Sequence, residues 1–104
     1  MEIYYSSNKQ RKILTDMRML KKHYSNDYVK ISNRLSELRA AENLNEIPEV
    51  PPPRRHKLKG DRQDCWGIDY SKNDRLIICP AGEFNINDLT SIRAITIVEL
   101  EDYH

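Results

Sequence analysis

Apolar residues recur every three or four positions in the first half of this chain and every second position in much of the rest. Ile13, Met17, Leu20 and Tyr24 share one helical face, with Lys and Arg crowding the others, behind the cap-forming run Ser6-Ser7-Asn8. This predicts a helix running to about Lys22. A second cap cluster, Ser25-Asn26-Asp27, opens another, with Tyr28, Ile31, Leu35 and Leu38 at intervals of three and four. The pair predicts an antiparallel helical hairpin with one apolar stripe on each arm. Such a Met and Tyr stripe is packing surface and not a cofactor box. Ahead of it, Glu2-Ile3-Tyr4-Tyr5 reads as a short strand.

The character changes at residues 44–53. Leu44-Asn-Glu-Ile-Pro-Glu-Val-Pro-Pro-Pro53 is excluded from a helix, because consecutive prolines fix φ and lack N–H donors. It predicts a polyproline-like crossover back to a sheet. From Arg55 the period is two, with strand-like runs at 54–58, 65–70, 75–80 and 94–100. Turn-prone breaks separate them at Lys59-Gly60-Asp61, Ser71-Lys-Asn-Asp74 and Pro80-Ala-Gly82. Trp66, Ile68 and Tyr70 alternate, which places one sheet face against the helices and leaves the other free. Residues 83–92 are polar and read as a loop or wide turn. The order β-α-α-β-β-β-β is α+β, a helical hairpin packed on one face of a small, mostly antiparallel sheet. At 104 residues, a single domain spanning 1–104 is expected.

Charge modifies this picture only locally. Charged residues make up 32% of the chain yet the net charge is +1, so affinity for a polyanion has to come from where the charges sit. Arg54-Arg-His-Lys-Leu-Lys-Gly-Asp-Arg62 is a basic patch, whereas Glu99, Glu101 and Asp102 are acidic. No apolar stretch reaches membrane length and the first residues lack an apolar leader core, so no membrane association and a cytoplasmic location are expected. Cys65 and Cys79 lack companion ligands for zinc. They fall on consecutive strands, and in a reducing cytosol they are expected to remain thiols packed as small hydrophobes. No metal or cofactor is expected.

His56 shares a strand face with Arg54 and Leu58, opposite Arg55 and Lys57. Alone it reads first as a surface histidine on a solvated basic strand. Lys59 and Arg62 flank the Gly60 turn, where charges commonly just solubilise a hairpin. Arg75 falls opposite Asp69 if the hairpin closes over Ser71–Asn73, which leaves it a cross-strand partner or a ligand-binding cation. Asp102, Tyr103 and His104 follow the β-forming run 94–100, with Asp102 and His104 on one parity and Tyr103 on the other.

Together these residues match one chemistry. Cleaving RNA by attack of its own 2′-OH needs a base for that proton and an acid for the leaving 5′-oxygen. It also needs cations around the phosphorane. His56 and His104 titrate in the right range, Lys59 and Arg75 suit the charge role, and Tyr103 suits phosphate bonding, proton transfer or base stacking. Asp102 is the only acid expected near the histidines, which points to a metal-independent reaction.

The segments His56-Lys-Leu-Lys-Gly-Asp-Arg62, Cys65-Trp66-Gly-Ile68, Asp74-Arg75-Leu-Ile-Ile78 and Glu101-Asp-Tyr-His104 resemble HigB toxins of the RelE/ParE superfamily. The resemblance covers roughly residues 30–104. It implies a bacterial type II toxin that enters the ribosomal A site, cuts mRNA without a metal and inhibits growth, held in check by a helix-turn-helix, HigA-like antitoxin in a hetero-oligomer. Carried over by position, His56, Asp102, Tyr103 and His104 become the catalytic set, and Lys59 and Arg75 bind RNA phosphate. Lys57 and Arg62 join them from the same basic run. Two departures stand out: Leu-Ile-Ile-Cys follows Arg75 where relatives often place an aromatic, and the proline run 51–53 is long. The alternative within the fold is a ParE-like gyrase inhibitor without catalysis. A third class is a plain protein-interaction module whose basic helices meet an acidic partner.

Overall fold

The computed structural model describes residues 1–102. Strand β1 (Glu2–Tyr5) leads into helices α1 (Asn8–Thr15), α2 (Met17–His23) and α3 (Tyr28–Ala40), followed by β2 (His56–Lys57), β3 (Trp66–Asp69), β4 (Asp74–Pro80) and β5 (Ala94–Asp102). The sheet has five strands in the order β1-β5-β4-β3-β2. Only β1 and β5 run parallel, and the three remaining pairings are antiparallel. The α+β expectation holds, with three helices in place of two. No described helix is long and apolar enough to cross a membrane.

The expected first helix is broken at Asp16. Ser7 caps α1 by accepting from the Gln10 N–H, and Asp16, in extended conformation, caps α2 by accepting from the Arg18 N–H at 2.9 Å. Thr15 and Asp16 are better caps than helix-interior residues, and their local hydrogen bonds compete with continued helix. The break rotates α2 out of phase, so Met17 is 53% exposed, while Leu14 and Leu20 enter the core. Helix α3 keeps its predicted stripe: Ile31, Leu35 and Leu38 are fully enclosed.

The crossover is less extended than expected. Leu44–Glu46 forms a single 3₁₀ turn capped by Asn43, which buries Leu44 and Ile47, and the Pro51–Pro52 peptide is cis. The predicted strand 54–58 shrinks to His56–Lys57. Arg54 has φ +42°, and the Arg54 and Arg55 N–H groups donate to the Val50 and Pro48 carbonyls, not to a neighbouring strand. Arg55 is buried, and its Nε donates to the Ile47 carbonyl at 2.7 Å.

Trp66, Ile68, Leu76, Ile78, Ile95 and Ile97 face the helices and form the core with them. Residues of the other parity lie on the opposite sheet face, which the helices do not cover. There Cys65 and Cys79, directly opposite each other in the extended β3–β4 register, are joined by a disulfide with a Cα–Cα distance of 4.3 Å. This corrects the expectation of free thiols. That expectation was drawn from compartment, whereas register decides proximity: a non-hydrogen-bonded antiparallel pair brings its Cα atoms to about 4.5 Å.

Between Ile77 and Ile78 the β4–β5 pairing slips, so that Glu99 faces Ile77 while Ile97 faces Ile78. Val98 is the extra residue. Its carbonyl accepts from the Ser6 hydroxyl and the Gln10 side-chain amide, which ties the bulge to the start of α1. Beyond the bulge β5 continues to Asp102, two residues past the predicted Leu100.

Candidate functional site

The free sheet face brings together His56, Arg75 and Arg62 of the residues that the sequence singles out. Strand β2 pairs His56 with Gly67 of β3, and Gly67 in turn faces Ile77 of β4, one pleat from Arg75. The imidazole lies over Gly67: a Cβ there would come within 2.7 Å of His56 Cε1 and Nε2 and 3.0 Å of Arg75 Cδ. A side chain at 67 would have to push the histidine ring aside, because the ring occupies the space it would take.

His56 is held at both nitrogens. Its Nδ1–H donates to the Arg54 carbonyl at 2.7 Å, and Arg75 Nη1–H donates to its Nε2 at 3.1 Å. A carbonyl only accepts, so the bonds assign the proton to Nδ1 and the lone pair to Nε2. The left-handed turn at Arg54 that shortens β2 is also what aims this carbonyl back at the ring.

Arg75 is fixed from its other edge. Its Nε and Nη2 donate to the same Glu101 oxygen at 3.0 and 2.6 Å, which leaves Nη1 directed to His56. The pair is largely enclosed, with side chains 18% and 29% exposed. Arg75 does stand opposite Asp69 in the register, but Asp69 pairs with Arg54 instead. Glu101 is the residue the sequence reading missed, since Asp102 was the only acid expected near the histidines. The alternation Glu99, Glu101 carried the signal. It becomes visible only once β5 is extended past Leu100.

The remaining candidates divide. Arg62, at the end of a 3₁₀ turn spanning Gly60–Arg62, reaches across the face to Glu99 at 2.6 Å. Lys59 is exposed just before that turn. Lys57 sits on the other parity, its Nζ 5.6 Å from the Trp66 ring centre, so the fold does not bring it to His56. Asp102 closes β5 opposite Asp74. Tyr103 and His104 lie outside the described residues. Among the described residues no three His, Cys, Asp or Glu side chains are grouped to hold a metal ion.

Comparison with protein-family models and with curated proteins yields no match. Solved structures do match over the whole chain. A YoeB/ParE toxin from Agrobacterium tumefaciens superposes with a TM-score of 0.61 at 10% identity, covering 100% of both chains. A chain of the YoeB-YefM complex from Staphylococcus aureus gives 0.58 at 15% identity, covering 100% of this chain and 97% of the other. The fold is that of the RelE/ParE-type toxins. At such low identity the likeness concerns architecture, so the site has to be argued from this chain's own side chains.

A first prediction follows from Gly67. Gly67→Ala introduces no functional group and leaves the backbone region ordinary, yet its methyl displaces the His56 ring and crowds the Arg75 stem. The His56 imidazole resonances of Gly67→Ala should shift in an NMR spectrum while its circular dichroism spectrum stays unchanged, and an unshifted imidazole would show that the ring does not fill this space.

Proposed function

We propose that this chain is the toxin of a toxin–antitoxin pair and a metal-independent endoribonuclease acting on mRNA at the ribosome. The observation that carries the proposal is the His56–Arg75–Glu101 array on the free sheet face, combined with the toxin fold. The lone pair at His56 Nε2 is what a general base presents to a 2′-OH, and the adjacent guanidinium is what a phosphorane needs. In the proposed reaction His56 Nε2 takes the 2′-OH proton as the 2′-oxygen attacks phosphorus. The bond to the 5′-oxygen breaks, and His104 supplies that oxygen with its proton. Arg75 Nη1 turns from the imidazole to a phosphate oxygen, while Glu101 keeps the guanidinium plane oriented. Lys59 and, on release from Glu99, Arg62 contact flanking phosphates. Asp102 orients the closing residues and Tyr103 contacts the phosphate or a base.

The proposed partners are the ribosome with its mRNA and an antitoxin chain of helix-turn-helix type. One solved structure with this fold is described as a YoeB-YefM complex, which supports a protein partner. A second reading, gyrase inhibition without catalysis, draws on a different observation: Arg54, Arg62 and Arg75 are each engaged by a carboxylate. Such pairing lowers the cationic character of the face.

Induction in bacteria without an antitoxin separates the two. The expected result is growth arrest with translated transcripts cut to 2′,3′-cyclic phosphate and 5′-hydroxyl ends. Intact transcripts with broken or tangled chromosomes would overturn the nuclease reading. Within that reading, Arg75→Lys keeps the charge but loses the two-point hold on Glu101 and the contact to His56. Its cleavage rate should drop by about 10²–10³, as for loss of one preorganised donor. A lysine variant cutting at the wild-type rate would reduce Arg75 to a mere point charge.

A further inference from the structure

Arg54 serves two places. Its carbonyl holds His56, while its guanidinium lines a cleft of about 520 Å³ between α3, the proline turn and the β3–β4 turn. Lys30, Asn33 and Arg34 line it from α3, and Ser71 and Lys72 from the turn. Its described lining holds four cations against the single carboxylate of Asp69, which Arg54 already engages. Lys30 and Arg34 are one helical turn apart and so share a face. Lys30 and Lys72 are exposed and make no ion pair among the described residues.

Arg34 is the informative member. Its Nη2 forms an ion pair with Glu37 at 2.8 Å, and its side chain is only 11% exposed. Its Nε and Nη1 are shielded from solvent and have no hydrogen-bond partner among the described residues. Enclosed donors are almost always paired, because leaving one unpaired forfeits its hydration with nothing in exchange. Two on one guanidinium, beside an open cleft with surplus positive charge, mark a place that an anion completes.

We infer that this cleft binds a nucleotide of single-stranded RNA by its phosphate. The donors are of three kinds (guanidinium, ammonium and the Asn33 amide) and surround a concave space, which suits a tetrahedral group with several acceptor oxygens better than one flat carboxylate. The volume lies within the roughly 300–1,000 Å³ of small-ligand sites, room for a nucleoside beside its phosphate. Pro51, Pro52 and Tyr70 supply the less polar wall that a ribose or base would rest on. Through Arg54 the cleft adjoins His56, so it holds a nucleotide neighbouring the one cut. Calling the ligand RNA rests on the function proposed above; the phosphate site itself does not.

The test is an NMR titration of the full chain with adenosine 5′-monophosphate, and of its His56→Ala variant with a short single-stranded RNA. The largest shifts should fall on the Arg34 side-chain N–H and the backbone N–H groups of Ser71 and Lys72. Lys30→Gln with Lys72→Gln, both at exposed positions, should weaken RNA binding and lower the slope of log Kd against log salt by about 1.4, at ~0.7 per cation on a single strand. Arg34→Gln should weaken binding further. An unchanged slope and affinity in the double variant would overturn the inference, as would shifts confined to Arg75 and its neighbours. A glutamate-rich peptide that moves the cleft resonances while nucleotide and RNA do not would overturn it too, and would assign the cleft to a protein partner. RNA seated in the cleft of a wild-type chain that never cleaves sinks the proposed function alone. Cleavage with a silent cleft sinks this inference alone.

Discussion

On the proposed nuclease function, His56→Ala should lower RNA cleavage by about 10²–10⁴-fold, the range for loss of a positioned general base, while leaving the fold intact. The half-buried imidazole contributes nothing to the hydrophobic core. Its ring nitrogens bond the Arg54 carbonyl and Arg75, and Arg75 retains Glu101 when the ring is removed. Ring packing over Gly67 is lost, but on the free face, where solvent fills the space. A His56→Gln variant sharpens the test, because an amide can bond both neighbours without taking a proton near neutral pH. It should be as inactive as the alanine form. Measured cleavage alongside urea unfolding decides the matter: full activity in either variant would remove His56 from the mechanism.

Trp66→Ala should destabilise the protein by about 3–5 kcal/mol, the cost of deleting a large buried aromatic together with the cavity it leaves. Trp66 is 3% exposed, faces Ile78 across β3–β4, and packs in the cluster that includes Ile68 and Leu76. Lys57 covers its ring from outside and adds a smaller cation–π contribution of about 0.5–1 kcal/mol. Set against a typical total of about 5–15 kcal/mol, the loss leaves a chain close to unfolding at growth temperature. Chemical denaturation is the measurement. A stable Trp66→Ala protein whose only defect is weaker RNA binding would place the indole on the functional face.

Both predictions depend on which face of the sheet a residue occupies, and for the tryptophan that was legible beforehand. Trp66 and Ile68 alternate with Gly67 and Asp69, and this parity places the tryptophan on the helices, whereas the side taken by His56 follows only from its pairing with Gly67. Parity could not say how long each strand runs. Strand β2 is cut short by the turn at Arg54, so Arg55 is buried against the crossover and is not an exposed strand cation. Strand β5 runs further than its apolar pattern, because pairing with β4 continues after the hydrophobic residues stop. Glu101 therefore went unnoticed, though it sets the orientation of Arg75. The break at Asp16 was hidden for a related reason: Ile13, Met17 and Leu20 have correct spacing for one helix, and periodicity does not register a change of direction.

The sequence by itself determined the class of fold, the stripe of α3, the inward face of β3 and the residue types that suit phosphodiester chemistry. Those properties are local: they follow from periods of 3.6 and 2, from capping side chains and from the intrinsic chemistry of histidine and arginine. Only the tertiary structure decided which charges meet. The Arg54–Asp69, Arg62–Glu99 and Arg75–Glu101 pairs join residues from different elements, and Cys65 meets Cys79 because two strands share a register. That two donors of Arg34 find no partner among the described residues is likewise a property of what packs around α3. Long-range pairing depends on register, bulge and turn geometry, to each of which many distant residues contribute, so no window of the sequence specifies it.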